Sequence, residues 1–256
     1  MVSAEAKGQK ADTDRRISAL QRNLDELRRS NAELEQFAHV VSHDLREPLR
    51  MISSYAQLMM RRYGGKLDPD ADAFLGFITE GAARMEHLIG DILDYSRAGR
   101  SAVTLAAIDS AEPLAAALAD LSPSISDGGA HVSVGTMPTI SADSSQIERL
   151  FANLVSNALK YRAADRAPEI SISGGENVDG WHFVVRDNGQ GIPATECERV
   201  FGAFSRLHGR DIPGTGLGLT ICRKIVERHG GIIWAEPCEP VGTAFHFTLA
   251  HPQAGG

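Results

Sequence analysis

Four stretches of this chain set reactive or ligand-binding residue types at spacings that could do chemistry. Val40-Val41-Ser42-His43-Asp44-Leu45-Arg46-Glu47-Pro48-Leu49 puts an imidazole beside a carboxylate. A histidine next to an acid can serve as a nucleophile or a proton shuttle. Further along, Asn153, Asn157 and Lys160 stand at i, i+4 and i+7 of a helical pattern and so share a face. Amide oxygens in line with a cation suit a hydrated Mg²⁺ carrying phosphates, because magnesium takes hard oxygen ligands and keeps several waters. Arg186-Asp187-Asn188-Gly189-Gln190-Gly191 follows a β-like run. Its glycines allow backbone to close on a flat ligand, and Asp187 could accept a hydrogen bond from an exocyclic amine such as that of adenine. Finally, Pro213-Gly214-Thr215-Gly216-Leu217-Gly218-Leu219-Thr220 opens a helix. Glycine-rich backbone at a helix N-terminus offers N–H groups and a positive dipole end to phosphate. The spacing is that of neither the dinucleotide fingerprint nor the P-loop, whose Lys-Ser/Thr pair is missing. Each stretch alone also has a plain reading: a surface histidine, a solvated helix face, an Asp-Asn-Gly turn, a helix cap.

The elements that must carry these residues come in two textures. A heptad frame runs for about six repeats, with Ile17, Leu24, Asn31, Ala38, Leu45, Ile52 and Met59 at position a. Leu20, Leu27, Leu34, Val41, Pro48 and Tyr55 occupy position d. This is a coiled-coil signature, and Asn31 at an a position favours a parallel two-stranded register. In that frame His43 falls at f, on the outer face, and Pro48 is expected to kink the helix. Tyr63-Gly64-Gly65-Lys66-Leu67-Asp68-Pro69 breaks it. A second helix follows, with Phe74, Ile78, Gly81, Met85, Leu88, Ile92 and Tyr95 spaced by four and three. An antiparallel hairpin with one exposed apolar stripe buries too little alone, so a homodimer forming a four-helix bundle is expected.

From about Val103 the pattern becomes α/β. Strand-like runs at 131–134, 170–173, 181–185 and 243–249 alternate with helical patterns at 110–121, 143–162 and 216–229. The expected segmentation is a disordered 1–13, a signalling coiled coil at 14–36, a dimerisation hairpin at 37–98, a linker at 99–103, an α/β sandwich at 104–251 and a tail at 252–256. The fold class is α+β. At 256 residues with 43% hydrophobic content, the chain can build two domains. A net charge of −7 argues against a nucleic-acid surface. No apolar run approaches the roughly 18 residues of a membrane span, and the N-terminus has no signal-peptide core, so a cytoplasmic location is expected. Cys197, Cys222 and Cys238 are odd in number and lack metal-ligand spacing, and read as reduced, incidental thiols.

The four stretches, in this order, resemble the bacterial sensor histidine kinases over about residues 35–250. Val200-Phe201-Gly202-Ala203-Phe204 adds a fifth point of likeness. The wording around His43, and Arg206-Leu207-His208-Gly209-Arg210, is most similar to kinases attached to phytochrome or other PAS-type sensors. The resemblance implies a dimerisation and phosphoacceptor domain followed by an ATP-binding domain of the histidine kinase/gyrase type. His43 would attack the γ-phosphorus of ATP. Asp44 would hold the imidazole tautomer and accept its proton. Asn157 would ligate Mg²⁺, Asn153 and Lys160 would contact phosphates, and Tyr161 would pack on the nucleotide. Asp187, with Gly189 and Gly191, would read adenine, and Gly214, Thr215, Gly216, Leu217 and Gly218 would cradle the phosphates. Residues 202–213 would form a lid. The implied partner is a response regulator receiver domain, with an upstream sensor domain outside this chain. A nucleotide-binding dimeric scaffold without phosphotransfer is the alternative. One departure stands out: many relatives carry Thr or Asn four residues after the histidine, for phosphatase chemistry, and here that place holds Glu47.

Overall fold

A computed structural model describes residues 2–66, 68–100, 103–178, 180–205, 207 and 214–251, with side chains described for only part of the stretch before Val40. Two long helices come first: α1 (Val2–Tyr63) and α2 (Pro69–Arg100). α1 starts well before residue 14, so residues 2–13, expected to be disordered, are helix. Ala4, Glu5, Ala6 and Lys7 are strong helix formers and carry the pattern back. The helix also continues through Pro48. α2 runs to Arg100, so the linker expected from residue 99 begins as helix. The turn between the helices falls where glycines and proline demand it, with Gly65 at φ 69°. Asp72 accepts a hydrogen bond from the Gly65 N–H at 2.9 Å and ties the turn to α2.

The way α1 packs is decided by heptad position. Its e residues face α2: Ser42 is buried, and Leu49 and Ala56 are 4% and 6% exposed. Leu49 shares a small core with Ala82 and Ile89 of α2. The a residues Leu45, Ile52 and Met59 are 51%, 48% and 41% exposed, and Tyr55, Phe74, Ile78, Met85 and Leu88 join them in an open apolar stripe. The side chains of Asn31 and of the a and d positions before it lie outside the described residues.

The second unit is built as β1 (Ala106–Asp109), α3 (Ala111–Asp120), α4 (Ser122–Gly128), β2 (His131–Val134), β3 (Thr139–Ala142), α5 (Ser144–Lys160), β4 (Glu169–Asn177), β5 (Gly180–Asp187), α6 (Gly218–Arg228), β6 (Ile233–Pro237) and β7 (Thr243–Leu249). Two 3₁₀ turns, Ala194–Glu196 and Arg199–Phe201, lie between β5 and α6. A five-stranded sheet has the order β2-β4-β5-β7-β6, and β1 pairs with β3 separately. Only β2–β4 is parallel among the five-strand pairings. β1, β3, β6 and α4 were not expected from the sequence. The expected helix at 216–229 starts only at Gly218, because Gly216 sits at φ 77°, outside helical space.

α5 anchors the unit. Asp143 caps it by accepting from the N–H groups of Ser145 and Gln146. Ile147, Leu150, Phe151, Leu154 and Ala158 form its buried face, as the periodicity predicts. Phe151 meets Phe183 of β5 and Phe247 of β7 edge-on, at centroid distances of 6.1 and 5.8 Å, while those two stack at 4.9 Å. Such aromatic geometry adds about 0.5–1.5 kcal/mol per pair beyond burial. This packing fixes the rotation of α5, and therefore the direction in which its polar face looks.

Candidate functional site

The polar face of α5 looks toward the ends of β5 and β7. Asn157, Tyr161, Asp187, Gly191, Ile192, Val200, Ser205, Leu207, Leu219, Thr243 and Phe245 line one cleft. Among the described residues Asp187 is its one carboxylic acid, and Ile192, Val200, Leu207, Leu219 and Phe245 make much of the rest of the lining apolar. Asp187 ends β5 opposite Thr243 of β7. Its Oδ1 accepts the Gly189 N–H at 2.8 Å. Burial pushes the Asp187 carboxyl above the usual carboxylate range, and the hydrogen bonds from the Gly189 and Thr243 amides only partly offset it. A buried carboxyl with open lone pairs in an apolar cleft is a specific acceptor for an amine on a flat heterocycle.

Gly189 is there because nothing larger fits. A Cβ at that position would stand 2.5 Å from the Tyr161 carbonyl oxygen and 2.9 Å from Asp187 Oδ1. The Gln190 N–H also donates to that Tyr161 carbonyl, at 2.9 Å. The end of α5 and the turn after β5 are thus stitched together, which brings Asn157, Tyr161 and Asp187 to one place.

The glycine-rich stretch borders the same region. Leu217 is buried in the core and Gly218 is the first residue of α6. A Cβ at Gly218 would lie 3.5 Å from Asn153 Oδ1, so Asn153 sits beside the start of α6. Gly216 closes on the segment after the 3₁₀ turns: a Cβ there would stand 2.8 Å from the Phe204 carbonyl carbon. The Phe204 N–H donates to the Gly216 carbonyl at 3.1 Å. Arg206 and residues 208–213, most of the expected lid, lie outside the described residues.

The residues suit a magnesium–phosphate group. Asn153 Nδ2 is buried and has no hydrogen-bond partner among the described residues, so a donor stands ready beside the glycine loop. Asn157 offers a neutral oxygen in the cleft. Among the described residues no group of three or more His, Cys, Asp or Glu could hold a metal by itself. An ion here would depend on an amide oxygen and on phosphate oxygens. Lys160 is exposed and does not line the cleft, and Gly214 has open space around it.

His43, Asp44 and Glu47 stand apart from the cleft, exposed on α1. His43 Nδ1 lies 3.3 Å from Asp44 Oδ1. That contact leaves Nε2 facing outward. The apolar cleft walls Ile192, Val200, Leu219 and Phe245, with Thr243, were missed from the sequence. Their types match core residues, and they reach Asp187 from separate parts of the chain: Ile192 from the turn after β5, Val200 from the second 3₁₀ turn, Leu219 from the start of α6, and Thr243 and Phe245 from β7. Of the cysteines, Cys222 is fully buried and burial pushes its thiol up to about 12, so it is an inert packing residue.

An exposed histidine hairpin followed by a mixed α/β sandwich with this cleft defines a phosphoacceptor domain joined to an ATPase domain. Comparison with known families agrees. Residues 33–101 match the His Kinase A (phospho-acceptor) domain, and residues 142–253 match the histidine kinase-, DNA gyrase B- and HSP90-like ATPase family. The chain therefore joins a histidine kinase phosphoacceptor domain to an ATPase domain of the histidine kinase type. Its relatives include the phytochrome-like protein Cph1 of Synechocystis sp., 44% identical over 91% of this chain and 31% of that protein. Cyanobacterial phytochrome A of Nostoc sp. is also 44% identical, over 88% of this chain and 29% of its own length. The methanogenesis regulatory histidine kinase FilI of Methanothrix harundinacea is 36% identical over 95% of this chain and 27% of its own. The chain thus spans about a third of the length of these relatives. Among solved structures, full-length ShkA in complex with AMPPNP shares the fold at a TM-score of 0.66, covering 85% of this chain and 47% of that one at 24% identity. Histidine kinase ThkA in complex with response regulator protein TrrA aligns at 0.59 with 25% identity, over 85% of this chain and 61% of that one. Among the described residues no helix is long and apolar enough to cross a membrane.

Proposed function

We propose that this chain is the cytoplasmic kinase portion of a sensor protein, a homodimer that phosphorylates His43 from ATP and passes the phosphoryl group to an aspartate of a response regulator. An upstream sensor domain supplies the signal through α1. The observation that carries the reading is the pairing, in one chain, of an exposed imidazole oriented by Asp44 with a cleft that ends in Asp187 and the glycine-rich loop.

Asp187 accepts the exocyclic amine of adenine, and Tyr161 packs on the base. Gly189 and Gly191 keep the backbone low enough for the ring to enter. The amides around Gly214, Thr215, Gly216, Leu217 and Gly218 cradle the phosphates at the start of α6. Asn157 would hold Mg²⁺, while Asn153 and Lys160 would donate to phosphate oxygens. When bound, the ion neutralises charge on the transferred group. His43 Nε2 attacks the γ-phosphorus. The N–P bond forms as the bond to the β,γ-bridging oxygen breaks, ADP leaves, and the Nδ1 proton passes to Asp44. Positioning and charge neutralisation supply most of the rate. Incubation with γ-labelled ATP and Mg²⁺ tests the reading. The label is expected to be acid-labile and stable in base, and acid-stable label would refute it.

Two substitutions probe the details. Asn157→Asp adds a negative charge beside the triphosphate, and a loss of about 1.4 kcal/mol already lowers the rate tenfold. Autophosphorylation is expected to slow by at least about that factor, measured as initial rates at fixed Mg·ATP; an unchanged rate removes Asn157 as the ligand. Glu47 is exposed one turn after His43. A carboxylate there repels an incoming phosphoaspartate. Loss of phosphate from a phosphorylated regulator, with ADP present, is expected to be slow with the parent chain and faster with Glu47→Thr or Glu47→Asn. Rapid loss with the parent, unchanged in Glu47→Ala, would show that Glu47 imposes no restraint.

A further inference from the structure

α2 does more than complete the hairpin. Asp91, Ile92 and Tyr95 lie on one side of it, at i, i+1 and i+4, and that side meets α6 and the glycine-rich loop. Ile92 and Tyr95 pack against the core of the ATPase unit. Lys224 of α6 sits 3.5 Å from the centre of the Tyr95 ring, and its Nζ donates to the Tyr95 carbonyl at 3.4 Å. The Thr215 hydroxyl donates to Asp91 Oδ2.

That last contact engages a residue assigned above to the phosphates. A threonine hydroxyl has one proton to donate. Here the proton goes to Asp91, and Thr215 Oγ1 accepts the Leu217 N–H at 3.2 Å, at the start of α6. A carboxylate at the opening of a helix takes the same favourable dipole that a phosphate would take. Asp91 thus uses the features that would receive the triphosphate, and carries the same sign of charge.

We propose that α2 and the glycine-rich loop form a latch which nucleotide must open: Asp91 on Thr215 and Tyr95 under Lys224 hold the ATPase unit docked, and the triphosphate and the docked helix exclude each other at Thr215. This rests on the reading of the cleft as an ATP site. Two consequences follow from linkage. Docking lowers the apparent nucleotide affinity by the fraction of chains left undocked. Nucleotide must in turn undock the helix, and at saturation it empties the docked state.

The test is titration of the full chain with AMPPNP and Mg²⁺, together with hydrogen exchange across residues 91–97. Asp91→Ala is expected to bind about three- to tenfold tighter than the parent, which corresponds to a docked fraction of roughly 70–90%. Tyr95→Ala, which leaves charge near the phosphates unaltered, is expected to show a gain of similar size. Nucleotide is expected to speed exchange across 91–97 in the parent and to change it little in Asp91→Ala. A gain in Asp91→Ala with none in Tyr95→Ala would reduce the effect to charge alone and overturn the latch. So would parent-like affinity in both variants, with exchange unmoved by nucleotide. If the parent fails to bind AMPPNP at all, the ATP-site reading falls first and takes the latch with it.

Discussion

His43→Gln retains AMPPNP binding and loses label from γ-labelled ATP, by at least about a hundredfold, because the nucleophile is gone and the cleft is untouched. Glutamine keeps length and polarity on an exposed helix face, so α1 has no packing reason to change. The chain has nine histidines, and the surroundings of several exclude them as substitutes. His229 is buried, with Nδ1 2.8 Å from the Ile225 carbonyl oxygen and Nε2 accepting the Asp143 N–H at 3.1 Å. Nε2 holds the start of α5, and Nδ1 is taken up by α6 itself. His182 and His246 face each other at 3.2 Å on the five-stranded sheet, with rings stacked. Burial holds the His246 imidazole below the usual histidine range; His182 and Arg186 add to this and Glu236 opposes it. His43 is exposed and has an acid partner at Nδ1. Retention of acid-labile label in His43→Gln would move the acceptor elsewhere. Loss of both label and AMPPNP binding would place His43 in the nucleotide site instead.

What the sequence made legible followed from period and from glycine. α5 could be read because its apolar residues recur at helical spacing; that Asp143 caps it came from the structure. β7 could be read because seven residues with β-branched and aromatic members sit between turn signals; the expected and observed spans coincide at 243–249. β1 and β3 could not. Each has four residues, and Ala106-Ala107-Ile108-Asp109 has no strand pattern of its own. They are strands because they pair with one another, Ala106 with Ala142 through Asp109 with Thr139. The cleft divided in the same way. Its polar end was visible, since Asp187-Asn188-Gly189-Gln190-Gly191 occurs in order with the histidine, asparagine and glycine-rich stretches. Its apolar walls were not, since Phe245 looks like any core residue until β5 and β7 are side by side. Asp91 and Tyr95 are the clearest case. In the sequence Tyr95 reads as a member of a helix pattern and Asp91 is not singled out, and their partners Lys224 and Thr215 lie 129 and 124 residues away.

The hairpin supports the second large effect. In an isolated chain the e positions of α1 are covered by α2, while Leu45, Ile52, Met59 and Tyr55 remain exposed beside Phe74, Ile78, Met85 and Leu88 of α2. Soluble monomers rarely show a contiguous apolar patch of this extent. Leu45, Ile52 and Met59 recur at sevens, which is the spacing of a helix seam and not of scattered surface residues. A second copy related by a two-fold axis would set the same stripe against itself and complete a four-helix bundle. Ile52→Lys places two ammonium groups, one from each protomer, in that seam. Desolvating each costs several kcal/mol, and they repel one another. The dissociation constant is therefore expected to rise by at least about a thousandfold, which is roughly 4 kcal/mol. By light scattering at micromolar concentration the parent has the mass of a dimer and Ile52→Lys that of a monomer, with helix content by circular dichroism retained through the e-face contacts of Leu49 with α2. Arg50→Lys, at an exposed f position of the same helix, leaves the dimer intact. A dimer that survives Ile52→Lys would place the interface on another face of the hairpin, and a monomeric parent would leave the stripe to a different partner.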